Sequence, residues 1–271
     1  MSPFVSDRFR SISLALLGAA ALTACSSITE STTQQLSNYG AVTITGKNAP
    51  GGRATASVNA VFFQGLAVTA PNSALQQGDQ CAYAYIDTTT GTASGSLKVG
   101  ESLALTFAGT SVAMPFSTAF SRYEPATGTA LSYASGDAAT LRIPGLAGTF
   151  PAASISVQLA EPIIPRPLLI PAAGAPLDVT WNATNDPTAA IILSVRYATT
   201  PTSTVQNEQI YCAVKDDGAF QVPASGLGAF LASPSALRSV ALIRWRTQEV
   251  RPDSLSLLHI VSTVDTIVRF P

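Results

Sequence analysis

The sequence predicts an all-β protein made of two antiparallel β-sandwich domains in series. Period-2 alternation of apolar and polar residues recurs in many short segments, and Gly, Pro, Ser and Asn punctuate them. No stretch longer than two helical turns keeps a period of 3.6. One dry face and one wet face, repeated this often, is the pattern of antiparallel sheets packed face to face rather than of a parallel α/β sheet.

From Val42 onward the segments are rich in β-branched and aromatic residues. Cys81, Tyr83 and Tyr85 alternate with Ala82 and Ala84, so either face could be the core one, and burial of the tyrosines is favoured by their large apolar area. Leu97, Val99, Leu103, Leu105 and Phe107 share one parity, opposed by Lys98, Ser102 and Thr106, with Glu101 out of phase. Ile155, Val157 and Leu159 oppose Ser154, Ser156 and Gln158. Further on, Leu177, Val179 and Trp181 oppose Asp178, Thr180 and Asn182, and Ile191, Leu193, Val195 and Tyr197 oppose Ser194 and Arg196. In the last such segment Ile243 and Trp245 oppose Arg244 and Arg246, which places Trp245 in the core and both arginines in solvent.

Pro162, Pro165, Pro167, Pro171 and Pro176 crowd into PIIPRPLLIPAAGAP. Proline cannot donate to a ladder, so residues 162–176 read as a linker or edge strand. They separate an N-terminal sandwich domain, 40–161, from a C-terminal one, 177–271; a single larger barrel is the alternative.

The C-terminal region begins LDVTWNATND and AIILSVRYATT, and it resembles immunoglobulin-like and fibronectin type III modules, in which a strand Trp and a following strand Tyr fill the core. Trp181 and Tyr197 would take those places, although the paired cysteines that straddle the Trp in immunoglobulin domains are missing. Tyr211 to Pro223 reads as strand, turn at Asp216, Asp217 and Gly218, and returning strand, because Asp-Gly suits the positive φ of a hairpin turn.

At the other end, Arg8 and Arg10 precede the apolar run Ile12 to Leu22, which is too short for the roughly 20 residues of a membrane span. Leu22, Thr23, Ala24 and Cys25 follow, and LTAC resembles the lipobox of bacterial lipoproteins. The resemblance implies removal of residues 1–24 as a signal peptide, lipidation of Cys25, and attachment to the membrane of a bacterial cell envelope through acyl chains. Ser26 after the cysteine favours the outer membrane. Residues 25–39, with SSITESTTQQLSN, read as a flexible tether.

Only 11% of residues are charged and 46% are hydrophobic, so neutral polar side chains must cover the surface. With 15 basic and 16 acidic residues and no basic cluster, nucleic acid is not an expected partner. Cys81 and Cys212 remain beyond the leader, in a compartment that permits disulfides. They either pair with each other or sit as small buried hydrophobes.

Candidate chemistry is sparse. His259 is the single histidine, so metal sites built on two histidines are excluded. Its parity opposes Leu258, Ile260, Val264 and Val268, which predicts a surface position beside Asp265 and Arg269. Asp216 and Asp217 read as turn residues before they read as metal ligands, and so do Asn185, Asp186 and Pro187. GAVTITGK, residues 40–47, has the wrong spacing for a phosphate loop. Tyr123 and Tyr133 lie in loop-like sequence and are candidates for an exposed binding surface. No cofactor and no metal is expected. The expected function is a non-enzymatic, lipid-anchored module that binds an envelope protein or glycan. The alternative is an anchored hydrolase using His259 with a nearby Ser and Asp265 or Asp253.

Overall fold

The computed structural model describes residues 37–64, 79–85, 97–107, 109–129, 131–184, 186–200 and 202–270, without the side chains at 83–85. The leader, Cys25, most of the tether, Asn185 and the side chains of Tyr83 and Tyr85 lie outside the described residues. The fold is all β and sandwich-like. The first part of the chain forms β1 (Asn38–Ala49), β2 (Arg53–Gln64), β3 (Gln80–Tyr85), β4 (Ser102–Phe107), β5 (Thr110–Ser117), β6 (Arg122–Tyr123), β7 (Leu131–Ala134), β8 (Ala139–Ile143) and β9 (Ala153–Val157). After the proline cluster come β10 (Leu177–Thr180), β11 (Ala189–Tyr197), β12 (Glu208–Lys215) and β13 (Ala219–Val222). A one-turn helix, α1 (Gly228–Ala232), precedes the long strands β14 (Ser239–Val250) and β15 (Ser256–Arg269). The discarded phosphate loop, residues 40–47, is ordinary strand within β1.

One continuous sheet runs β3, β12, β11, β14, β15, β1, β2, β6, β5, β4, β8, β9, with β7 also on β2, and β10 and β13 form a separate pair. Every described pairing is antiparallel except one. β1 and β15 run parallel, from Asn38 beside Ser256 to Lys47 beside Asp265, which corrects the expectation of purely antiparallel sheets. A parallel neighbour needs a long crossover, and here nearly the whole chain supplies it. The expected hairpin at Asp216 to Gly218 is also corrected. Gly218 has the positive φ (98°) that the turn requires, but β12 pairs with β11 and β3 while β13 pairs with β10. The turn is a corner between two layers.

Two apolar cores lie along this sheet. The first is built by Val42 and Ile44 of β1, Phe62 of β2, Leu103 and Leu105 of β4, Leu141 of β8 and Ile155 of β9. The second takes Leu177 and Val179 of β10, Ile191, Leu193 and Val195 of β11, Cys212 of β12 and Phe230 of α1. The alternation read from β4, β10 and β11 therefore names true core residues, and Trp181 and Tyr197 both lie in the second core. The cores do not divide at the proline cluster. Leu258, Ile260 and Val264 of β15 belong to the first core, whereas Phe270 belongs to the second. β11 is buried on both faces, Ser194 included, as befits a strand with neighbours on both sides in the middle of a sheet.

Between the cores the inward face turns polar. On β14, Val240 and Leu242 end the second core, and the same parity continues as Arg244, Arg246 and Gln248. Beside them on β15 stands Ser262, fully buried, whose hydroxyl accepts the Ala160 N–H at 2.9 Å. Gln248 reaches β9, accepting from Gln158 N at 3.2 Å and donating to Ser156 O at 2.9 Å. Its amide thus occupies backbone groups at the outer edge of β9, where a foreign strand could otherwise add.

Candidate functional site

The polar seam is centred on Arg244, which is 0% exposed, and this corrects the expectation that the arginines of β14 face solvent. Nε donates to Asp216 Oδ2 at 2.7 Å and Nη2 to Asp216 Oδ1 at 3.1 Å. Nη1 donates to the carbonyls of Glu161 (3.1 Å) and Pro162 (3.0 Å), and Nη2 also to that of Asn182. All five guanidinium N–H groups are therefore used, the condition under which a buried arginine is tolerable. Asp216 is likewise saturated, accepting from Trp181 Nε1 at 2.8 Å and Thr184 Oγ1 at 2.7 Å. It is a buried counter-ion and not only a turn residue. Arg246, also mostly buried, pairs with Glu161 at 2.7 Å and Asp186 at 3.0 Å. Trp245 points to the opposite face and is half-buried.

What this seam holds is the start of the proline-rich segment. Asn182 accepts the Ile164 N–H at 2.6 Å and donates to Pro162 O at 3.1 Å, and the Arg166 N–H reaches Thr180 O at 3.0 Å. Asn48, near the end of β1, makes a reciprocal pair with the Ile163 backbone. Ile163 and Leu168 turn inward to the second core. Ile164, Leu169 and Ile170 turn outward and are 59%, 79% and 41% exposed. Proline at 165, 167 and 171 deprives the segment of donors, so it lies beside β10 without joining its ladder, and three of its five Ile and Leu side chains stay in water. The result is a fixed, extended aliphatic strip with Arg166 exposed in its middle.

The remaining candidates are structural. Tyr123 and Tyr133, expected at an exposed surface, are both 0% exposed in the first core. Tyr123 Oη donates to Gly100 O at 2.7 Å and accepts Val99 N–H at 2.8 Å, and Tyr133 Oη donates to Ala160 O at 2.9 Å. Burial raises the pKa of both hydroxyls. With their polar tips satisfied by backbone, these rings gain from full burial. Cys81 and Cys212 stand opposite each other on β3 and β12 and form a disulfide, S–S 2.08 Å. Asp186 caps its own turn, accepting the Thr188 N–H at 2.7 Å.

His259 is 5% exposed rather than on the surface. It does lie on the face of β15 away from the first core, beside Ala41 of β1 and Glu249 of β14. Glu249 approaches Nδ1 no closer than 3.7 Å, and neither ring nitrogen has a hydrogen-bond partner among the described residues. Burial holds its pKa below the ordinary histidine range, partly offset by Glu249. A depressed folded-state pKa makes the unfolded chain the stronger proton binder. Stability from this residue is therefore complete above about pH 6.5 and falls as pH drops from there toward the folded-state pKa. Urea midpoints measured between pH 7.5 and 5 are expected to decline in the wild type and to decline less in His259→Leu. Parallel curves would show that another group is responsible.

At the end where the chain enters the fold there is a groove of about 610 Å³, whose lining includes Asn38, Gln64, Leu146, Thr149, Asp253 and Leu255. Among the described residues no group of three or more His, Cys, Asp or Glu side chains could hold a metal ion. No protein-family model matches the chain, and no curated protein or solved structure matches it.

Proposed function

We propose that the chain is a lipid-anchored protein of the bacterial cell envelope, held through Cys25, that presents its proline-rich aliphatic strip to an envelope protein. The observation that carries this reading is the strip itself. Ile164 is exposed on a backbone fixed by Asn48, Asn182 and, through Pro162, Arg244, and Leu169 and Ile170 are exposed beside Leu168, which is buried in the second core, so the apolar surface is organised before any partner arrives. Asn48, which holds it, is ten residues along β1 from Asn38, about 33 Å at the rise of a strand.

A protein partner is favoured over a glycan. Sugar sites on sandwiches rely on exposed aromatic rings, and among the large exposed hydrophobics described only Phe120 is aromatic. The hydrolase alternative gains nothing from the geometry, since no hydroxyl or carboxylate within the described residues comes into hydrogen-bond range of His259.

The test is site-specific photo-crosslinking in intact cells, with the photoreactive residue at Ile164, Leu169 or Ile170 and a control at Pro50 in the β1–β2 turn. A discrete protein adduct at the strip, absent at Pro50 and lost in an Arg166→Glu background, is expected. Absence of adducts at all three strip positions would overturn the proposal. The anchor is read separately: Cys25→Ser is expected to move the protein from the membrane to the soluble fraction.

A further inference from the structure

We infer that the groove-bearing end of the fold is a membrane-docking face, in which Leu146 and Leu255 insert into the neutral lipid interface beside the anchor; this rests on lipidation of Cys25. The two leucines lie on the two loops that flank the groove, and both are about half exposed, 50% and 48%. Neither loop is free to fold its leucine away. Gly145, at φ 77°, turns the first loop so closely against Ala152 that a Cβ there would lie 2.3 Å from the Ala152 nitrogen. The Leu146 N–H donates to Phe150 O at 3.0 Å, while the Leu146 carbonyl accepts from Thr149 N at 3.0 Å and Oγ1 at 2.7 Å. Phe150 anchors this loop in the first core against Phe62, with ring centroids 5.0 Å apart. In the second loop Asp253 accepts the Leu255 N–H at 2.9 Å.

The lipid surface is the occupant indicated by where the chain enters. The N–H groups of Ser37 and Asn38 donate to Leu255 O at 2.8 and 3.1 Å, so the segment arriving from Cys25 is fastened to one of the exposed leucines themselves. Cys25 and Ser37 are separated by a span of sequence whose fully extended length is about 40 Å. That length alone leaves the orientation of the fold undetermined, and an apolar face beside the fastening point would determine it. Charge specifies the kind of surface. Residues 144–152 carry no charged side chain, and in 251–255 Arg251 is matched by Asp253. Nothing here attracts anionic headgroups, so contact is through apolar insertion into a zwitterionic interface. Docked this way, Asn48 and the Ile163 backbone it holds lie toward the opposite end of β1 from the bilayer.

The experiment uses the lipidated full-length protein in phosphatidylcholine vesicles, with an environment-sensitive fluorophore on Leu146→Cys, Leu255→Cys or, as control, Pro50→Cys. Blue-shifted emission and several-fold stronger quenching by nitroxide-bearing lipid at positions 146 and 255 than at 50 are expected. Equal quenching at all three positions, or none at 146 and 255, overturns the docking face. A blue shift without lipid quenching also overturns it, because the leucines are then covered by the chain's own residues 26–36. Mass spectrometry of the purified protein separates the two proposals. Absence of lipid on Cys25 removes both, whereas lipid present without quenching removes only the docking face.

Discussion

Arg244→Met is expected to destabilise the fold by about 3–5 kcal/mol, because it leaves the Asp216 carboxylate buried without its counter-ion. The carbonyls of Glu161, Pro162 and Asn182 lose their donor in the same step. Arg244→Lys should recover little, since a single ammonium cannot serve a carboxylate edge-on and three carbonyls arranged around a planar fork. Asp216→Leu should cost a similar amount by leaving the guanidinium uncompensated. The double replacement is expected to be less damaging than the two single losses summed, because burying neither charge removes the desolvation cost that each single variant exposes. Urea denaturation of the four proteins at pH 7 gives the cycle. A loss under about 1 kcal/mol for Arg244→Met would mean that water reaches the seam and screens Asp216. The same variant should loosen the proline-rich strip, seen as faster amide exchange at Ile164 and Arg166, which ties the seam to the proposed binding surface.

The reason Arg244 was not legible from sequence lies in what alternation encodes. Period 2 establishes that Leu242, Arg244 and Arg246 share a face, but which face is inward follows from hydrophobicity alone, and Trp245 outweighs two arginines on that scale. The partner that reverses the assignment, Asp216, is 28 residues away at what reads as an ordinary Asp-Gly turn. In β4 and β10 the same rule works, because one parity is uniformly apolar and no buried charge competes. Tyr123 and Tyr133 fail for a related reason: their hydroxyls are satisfied by carbonyls of Gly100 and Ala160, acceptors that every sequence contains and none announces. His259 was placed on the correct face of β15, yet that face is itself covered at this point. The parallel pairing of β1 with β15 joins the two ends of the described chain, and no local pattern records a register between segments so far apart. The proline cluster was legible as a segment outside the central sheet. Its exposed aliphatics were not, because they depend on Ile163 and Leu168 taking the inward positions.

Loss of the Cys81–Cys212 link is the second large effect expected, about 2–4 kcal/mol of stability at 25 °C, for a cross-link that closes a loop with a sequence separation of 131. In the folded state its role is local. β3 is an outermost strand among the described residues, pairing with β12 over Gln80 to Tyr85, and the disulfide fastens its second residue. In the unfolded state it shortens the accessible chain over nearly half the protein, which is where most of the stabilisation arises in the chain-entropy account. The two sulfurs are not equivalent. Cys212 is fully buried in the second core, whereas Cys81 is exposed. Cys81→Ala therefore removes the link and leaves a buried thiol that behaves as a small hydrophobe, while Cys212→Ser adds a hydroxyl in an apolar site and should cost more. The wild type treated with reductant should fall to the stability of Cys81→Ala and no further. Thiol counting in denaturant is the direct check on the oxidised protein, with Cys25 blocked by lipid or replaced. No reactive thiol before reduction and two after it is the expected result, and two before reduction would remove the staple from this edge of the sheet.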